Sequence, residues 1–271
     1  MTPMTPLFDS LTHVTPDGSW MGERSFDASL QRLLSDMDQA HTTRACLVTI
    51  ADHGDNDYTL ACARQHPDRF VPIAGLNPRV LPTLRRVEAV VAQLAAQGFA
   101  GIKLHPRLNG YDPLDAKCVA AIDAAAEHGL VVLLDTLFRR RGLATRHAPD
   151  VIDELAASCP ETPILLLHAT GPTMFELYEI VRANPRLMLD FSFTMMRYIG
   201  SRLDDDMHFL FKTTDQLITI GSDFPECSPG AMQKRFETLS QGIEPHRIDN
   251  IRYHNLERLF AGYDGRRLQG G

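Results

Sequence analysis

Eight short runs rich in leucine and β-branched residues alternate along the chain with longer stretches whose apolar positions recur at helical spacing. The runs cover residues 7–14, 45–50, 70–76, 100–105, 130–136, 164–169, 187–191 and 217–223. LVVLL, before Asp135, and ILLL, before His168, are apolar at successive positions. That suits parallel strands covered on both faces, whereas an open antiparallel sheet alternates polar and apolar positions. Between the runs, Phe26, Leu30, Leu33, Leu34 and Met37 form one stripe, and Leu84, Val87, Val91 and Leu94 another. Pro82, Pro113, Pro149 and Pro172 stand where a first helical turn would begin, Asp112 is placed as an N-cap, and Gly98 and Gly129 fall just past helix ends. The pattern predicts a single (β/α)8 TIM barrel over residues 1–271, with no linker or low-complexity tract. A doubly wound open sheet shows the same alternation, but no GxGxxG or GxxxxGK loop follows any run.

Composition narrows the function. Of 271 residues 44% are hydrophobic and 23% charged, which supplies a core and argues against disorder. Lys plus Arg number 27 against 34 Asp plus Glu, a net charge of −7, so attraction to a phosphate backbone is not expected and nucleic acid is excluded as a partner. MTPMTPLFDS lacks a basic stretch leading into an apolar run, and no segment approaches the ~20 apolar residues that cross a bilayer. The expectation is a soluble, cytoplasmic protein with no membrane partner. Cys46, Cys62, Cys118, Cys159 and Cys227 are odd in number, scattered and without a CxxC, as reduced and mostly buried thiols would be. Exposed barrel helices often mediate dimers, which leaves a homo-oligomer open.

In a barrel, chemistry comes from the C-terminal ends of the strands. The polar residues that close the apolar runs are Asp9, Ser10, Thr12 and His13 after the first, Lys103 and His105 after the fourth, Asp135 after the fifth, His168 after the sixth, Asp190 after the seventh and Asp223 after the eighth. Imidazoles and carboxylates gathered at one mouth suit a divalent metal or an acid and base pair. Asp190, inside LMLDFS, reads as a structural tie to a neighbouring loop.

The order of these motifs resembles the amidohydrolase-related family: Asp9-x-x-x-His13, GIKLHP, LLLHAT, GSDFP and NIRYHNLERLF, together spanning residues 8–260. That family includes aminocarboxymuconate-semialdehyde decarboxylase, resorcylate-type decarboxylases and lactone or amide hydrolases. Its first-strand pattern reads DxHxH, and here the first histidine is replaced by Leu11. Its fifth strand usually ends in His, and here the residue is Asp135. The resemblance implies His13, Asp135 and Asp223 as ligands of a divalent metal, zinc or manganese. Asp223 would be ligand or water-activating base, and His168 would polarise or protonate the substrate. Family members that act without metal give the other alternative, in which His168 and Asp223 serve as acid and base.

Arg139, Arg140 and Arg141 follow the fifth run, Arg146 lies beyond, and Arg107 follows the fourth. Over a barrel mouth they would hold an anionic small-molecule substrate by bidentate bonds, together with Lys103 and His105. As a solvated charge run they would do nothing. The expected function is hydrolysis of a C–N or C–O bond (amide, lactone or ester) in a small anionic molecule. A nonoxidative decarboxylase is the alternative within the same family. A catalytically inactive ligand-binding barrel is the reading that Leu11 favours.

Overall fold

The computed structural model describes residues 6–23, 25–139 and 146–263. Eight strands form one parallel sheet in sequence order: β1 (Leu7–Thr12), β2 (Thr42–Val48), β3 (Phe70–Leu76), β4 (Gly101–Leu104), β5 (Val131–Asp135), β6 (Ile164–Leu167), β7 (Leu187–Asp190) and β8 (Ile218–Thr219). The sheet closes on itself where Ser10 N donates to Ile220 O at 3.1 Å, Asp223 N to Leu11 O at 2.9 Å and His13 N to Phe224 O at 2.9 Å. Sequential order and closure make this a (β/α)8 barrel and remove the doubly wound alternative.

All eight expected strands are present, most of them trimmed at their ends. β8 shrinks most, from 217–223 to two residues. At Gly221 a Cβ would press on the Ser10 side chain and stand 2.9 Å from Leu11 N, so β1 and the segment after β8 meet there backbone to backbone. Asp223 then turns into the left-handed region at φ 56°.

Alternation along the strands sorts side chains between two apolar layers. Val131 and Leu133 join Leu165, Leu167, Phe8 and Leu11 inside the barrel, while Val132, Leu134, Ile164 and Leu166 pack under the helices. On β4 the outward layer takes Ile102 and Leu104, which leaves Lys103 and His105 on the axis side. The same parity turns Asp135 inward. Each aliphatic side chain so buried stabilises the fold by about 1.5–3 kcal/mol.

The helix signals need two corrections. Helix Ala116–Glu127 is capped by Asp115, which accepts from Lys117 N, while Asp112 accepts from Leu114 N at 2.9 Å and only turns the chain before it. Phe26 precedes helix Leu30–Gln39 and packs instead against the Trp20, Ala28 and Ile50 cluster. Pro82 stands just before the Thr83 cap of helix Leu84–Gln97, which ends at Gly98 with φ 104°, where a left-handed C-cap favours glycine. The five cysteines are free, four of them buried. Among the described residues no helix is long and apolar enough to cross a membrane.

Candidate active site

The expected residues meet at the C-terminal mouth of the barrel, in two carboxylate and imidazole groupings. In the first, Asp135 Oδ2 lies 3.3 Å from His105 Nε2, 3.2 Å from His168 Nε2 and 3.9 Å from an Arg107 guanidinium nitrogen. His105 therefore turns inward although Pro106 follows it. In the second, His13 Nε2 stands 3.3 Å from Asp223 Oδ1. The two groupings share one field: Asp223 is acted on by His168 and Lys103, and Glu226 by Asp223, His168 and Arg107.

Their second nitrogens fix the protonation. His168 Nδ1 lies 3.0 Å from Ser192 O, and a carbonyl only accepts, so Nδ1 carries a hydrogen. Nε2 then faces the Asp135 carboxylate, and a second proton belongs there. Burial works against charge on His168, but Asp135's hydrogen bond and charge outweigh it and raise its pKa. Asp135 is pushed up by burial, yet His105, His168 and Arg107 hold it well below the usual carboxylate range. Burial pulls His105 down to about 3, leaving it neutral.

The other grouping differs. His13 Nδ1 donates to Val48 O at 2.6 Å, while burial and the Lys103 charge lower its pKa. A neutral ring then presents the bare lone pair of Nε2, which has no hydrogen-bond partner. Asp223 is held at about 2: burial alone would raise it, but its contact with His13 and the charges of His168 and Lys103 prevail. Two acceptors thus converge on one point. An imidazolium on one side and a neutral imidazole on the other separate acid from base.

Backbone strain coincides with these groups. His168, Ala169 and Thr170 take φ values of 67°, 43° and 55° in succession, and Asp223 takes 56°. Non-glycine residues there cost about 1–3 kcal/mol each, which packing must offset to hold the side chains in place.

Asp190 remains structural: it accepts from Thr219 Oγ1 at 2.9 Å and from the hydroxyls of Ser10 and Ser192. Through Ser192, whose Oγ is 3.2 Å from His168 Nδ1, it also steadies the His168 ring. Beside the polar groups opens a cavity of about 800 Å³, lined among others by Arg107, Thr136, Arg139, Phe193, Arg197 and Tyr198. Arg107 belongs to both. Arg140 and Arg141 lie outside the described residues.

Three contributors escaped the sequence reading. Trp20, the chain's one tryptophan, stacks on His13 with centroids 4.8 Å apart, and its Nε1 donates to Glu226 Oε1 at 3.2 Å. Burial raises Glu226. Arg197 reaches the cavity from the short helix Thr194–Arg197 after β7. A lone tryptophan on the loop after β1 was the signal available.

The metal expectation meets a poor donor set. Leu11 is fully buried among hydrocarbon and offers no donor atom. His13 and Asp223 face each other, whereas Asp135 is occupied by His105 and His168. Among the described residues no three His, Cys, Asp or Glu side chains form a group able to hold a metal ion. The set His13, Asp135 and Asp223 therefore does not fit a shared divalent ion.

An amidohydrolase family model matches residues 21–261. The chain belongs to the amidohydrolase family. No curated protein matches it. Among solved structures it is similar to an uncharacterized TIM-barrel protein of Bordetella bronchiseptica, at 17% identity and a TM-score of 0.78 over 94% of this chain and 99% of that one. A probable 2-pyrone-4,6-dicarboxylic acid hydrolase of Acinetobacter baumannii, solved with citric acid, is 18% identical with a TM-score of 0.68 over 94% and 99%. The 5-carboxyvanillate decarboxylase of Novosphingobium aromaticivorans, solved with manganese, is 12% identical with a TM-score of 0.69 over 95% and 96%. At these identities the likeness is one of fold, and this amidohydrolase's reaction has to be argued from its own site.

Proposed function

We propose that this amidohydrolase hydrolyses a C–O or C–N bond of a small anionic lactone, ester or amide. The observation that carries this reading is the His13 and Asp223 pair, 3.3 Å apart, with the His13 Nε2 lone pair unpartnered. A water molecule at that point gives a proton to His13 Nε2, and its oxygen attacks the substrate carbonyl carbon. Asp223, beside that same nitrogen, stabilises by its charge the imidazolium formed, while Val48 O holds Nδ1. The carbonyl π electrons move onto oxygen, where the His168 imidazolium and the Lys103 ammonium meet the negative charge. On collapse the C–O or C–N bond breaks, and the leaving atom takes the proton back from His13. Products are a carboxylic acid and an alcohol or amine, with one oxygen from water.

Arg107 and Arg139 would hold the substrate's anionic group in the cavity, against the apolar faces of Phe193 and Tyr198. No step is assigned to a metal, because the donors do not fit one.

Nonoxidative decarboxylation is favoured by one specific feature, the protonated His168. Lys103 and Arg107 would bind the departing carboxylate, and His168 would protonate the carbon it leaves. Turnover of a panel of lactones, aryl esters and aromatic acids in 18O water separates the two readings. Label in the product supports hydrolysis and carbon dioxide release supports decarboxylation. Asp223→Asn and His13→Ala should each lower kcat by about 10²–10⁴-fold. Ligand binding without turnover would make this a binding barrel.

A further inference from the structure

Lys103 is a buried residue at the mouth whose side chain meets no direct partner among the described residues. It projects inward from β4, is 2% exposed, and makes no hydrogen bond or ion pair among the described residues. Asp223 and Asp135 lie within its electrostatic reach and favour its charged form, against the burial that lowers its pKa. A buried ammonium without a direct partner is costly unless something supplies one.

Cationic and acidic groups are already close together here: Asp135 lies 3.2 Å from His168 and 3.9 Å from Arg107, and Lys103 is buried within electrostatic reach of Asp135 and Asp223. A divalent ion would bring two positive charges beside the Lys103 side chain, where the place of one of the family's ligands is filled by Leu11. Like charges in such a low-dielectric setting repel strongly.

We infer that Lys103 supplies the fixed positive charge at this mouth in place of a divalent ion, and that its free ammonium seats an anionic oxygen of the ligand. The seat for the reacting oxygen rests on the catalytic reading above, whereas the exclusion of metal is independent of it and rests on Leu11, on Lys103 and on the contacts of Asp135 with His105 and His168. Lys103 thereby acts as an anion receptor and as the group that keeps cations out.

The test needs no turnover, so its failure and that of the hydrolytic reading are distinguishable. Protein purified without chelator is analysed for metal content, then titrated with Mn²⁺ and separately with benzoate while the fluorescence of Trp20, stacked on His13, is followed. Wild type should carry far less than stoichiometric metal and show no saturable quenching by Mn²⁺. Lys103→Gln should show saturable quenching by Mn²⁺ where wild type shows none, since it removes the cationic group within reach of two carboxylates, and should bind benzoate at least about tenfold more weakly. Lys103→Arg, which keeps the charge, should behave as wild type toward Mn²⁺ and covers the case in which Lys103→Gln does not fold. Near-stoichiometric zinc or manganese in wild type, tight Mn²⁺ binding by Lys103→Arg, or unchanged affinities in folded Lys103→Gln would overturn the inference.

Discussion

His168 Nε2 lies 3.2 Å from Asp135 Oδ2 across the adjoining ends of β6 and β5, while its Nδ1 is committed to the carbonyl of Ser192. This arrangement needs a proton on each ring nitrogen. Asp135→Asn should remove it, leaving a neutral His168 and costing roughly 3–5 kcal/mol of stability, the usual effect of breaking a buried pair. The pH dependence follows from the two shifts. His168, raised in the fold, contributes fully below its unfolded value near 6.5 and loses that contribution as pH rises through its folded value. Asp135, depressed, contributes above 3.8 and loses it as pH falls. Urea unfolding should therefore show the largest gap between wild type and Asp135→Asn from about pH 4 to 6.5. A gap that does not vary with pH would contradict the ion pair.

Asp9 gives a prediction of opposite sign. Burial raises it to about 7, although its Oδ1 accepts from Ser222 N at 2.9 Å and Leu11 N at 3.1 Å. The folded chain retains a proton that the unfolded chain releases above 3.8. Stability should fall as pH rises from about 4 to 7 and level off beyond, by roughly 4 kcal/mol at most from this group. Asp9→Asn keeps an oxygen for both amides and cannot ionise. Comparing its unfolding with wild type at pH 5 and pH 8 should show a smaller loss in the variant.

The scaffold and the position of most polar groups at the mouth were legible because parallel strands leave unbroken apolar runs and because polar side chains at a barrel mouth close those runs. His13, Lys103, His105, Asp135, His168 and Asp223 could all be found that way. What could not be read was orientation and partnership. Nothing in the spacing shows that Asp135 is shared by His105 and His168, since that depends on the β5 and β6 register. Trp20, Glu226 and Arg197 sit on connections whose positions are set only when the barrel closes. Asp115 takes the cap from Asp112 for a local reason: both are good caps, and the helix starts at the later one. Leu11 was visible as a departure, but its weight depended on seeing hydrocarbon packed around it.

Arg107 and Arg139 line the cavity beside the polar groups, and Arg107 is also 3.9 Å from Asp135. Arg139→Ala should raise KM for an anionic substrate by on the order of tenfold with kcat nearly unchanged, because an exposed guanidinium binds ground and transition states alike. Arg107→Ala should affect both constants, since it also helps hold Asp135 ionised. Adding salt should weaken the Arg139 effect through screening. Equal kinetics for wild type and Arg139→Ala would mean that the arginines are merely solvated.

Trp20 joins the two halves of the rim, stacking on His13 and donating to Glu226. That donated bond favours the ionised form of Glu226, against the burial that raises its pKa. Trp20→Phe retains an aromatic face for His13 but removes the donor, so the Glu226 carboxyl should hold its proton to higher pH. A neutral Glu226 repels an anion less than an ionised one, and Asp223 beside it stays charged in both cases. Benzoate binding, followed by calorimetry because the variant lacks the fluorophore, should therefore persist to higher pH in Trp20→Phe than in wild type. Glu226→Gln should remove that part of the pH dependence altogether. If Trp20→Phe shifts binding to lower pH, the indole bond is not what sets the charge of Glu226.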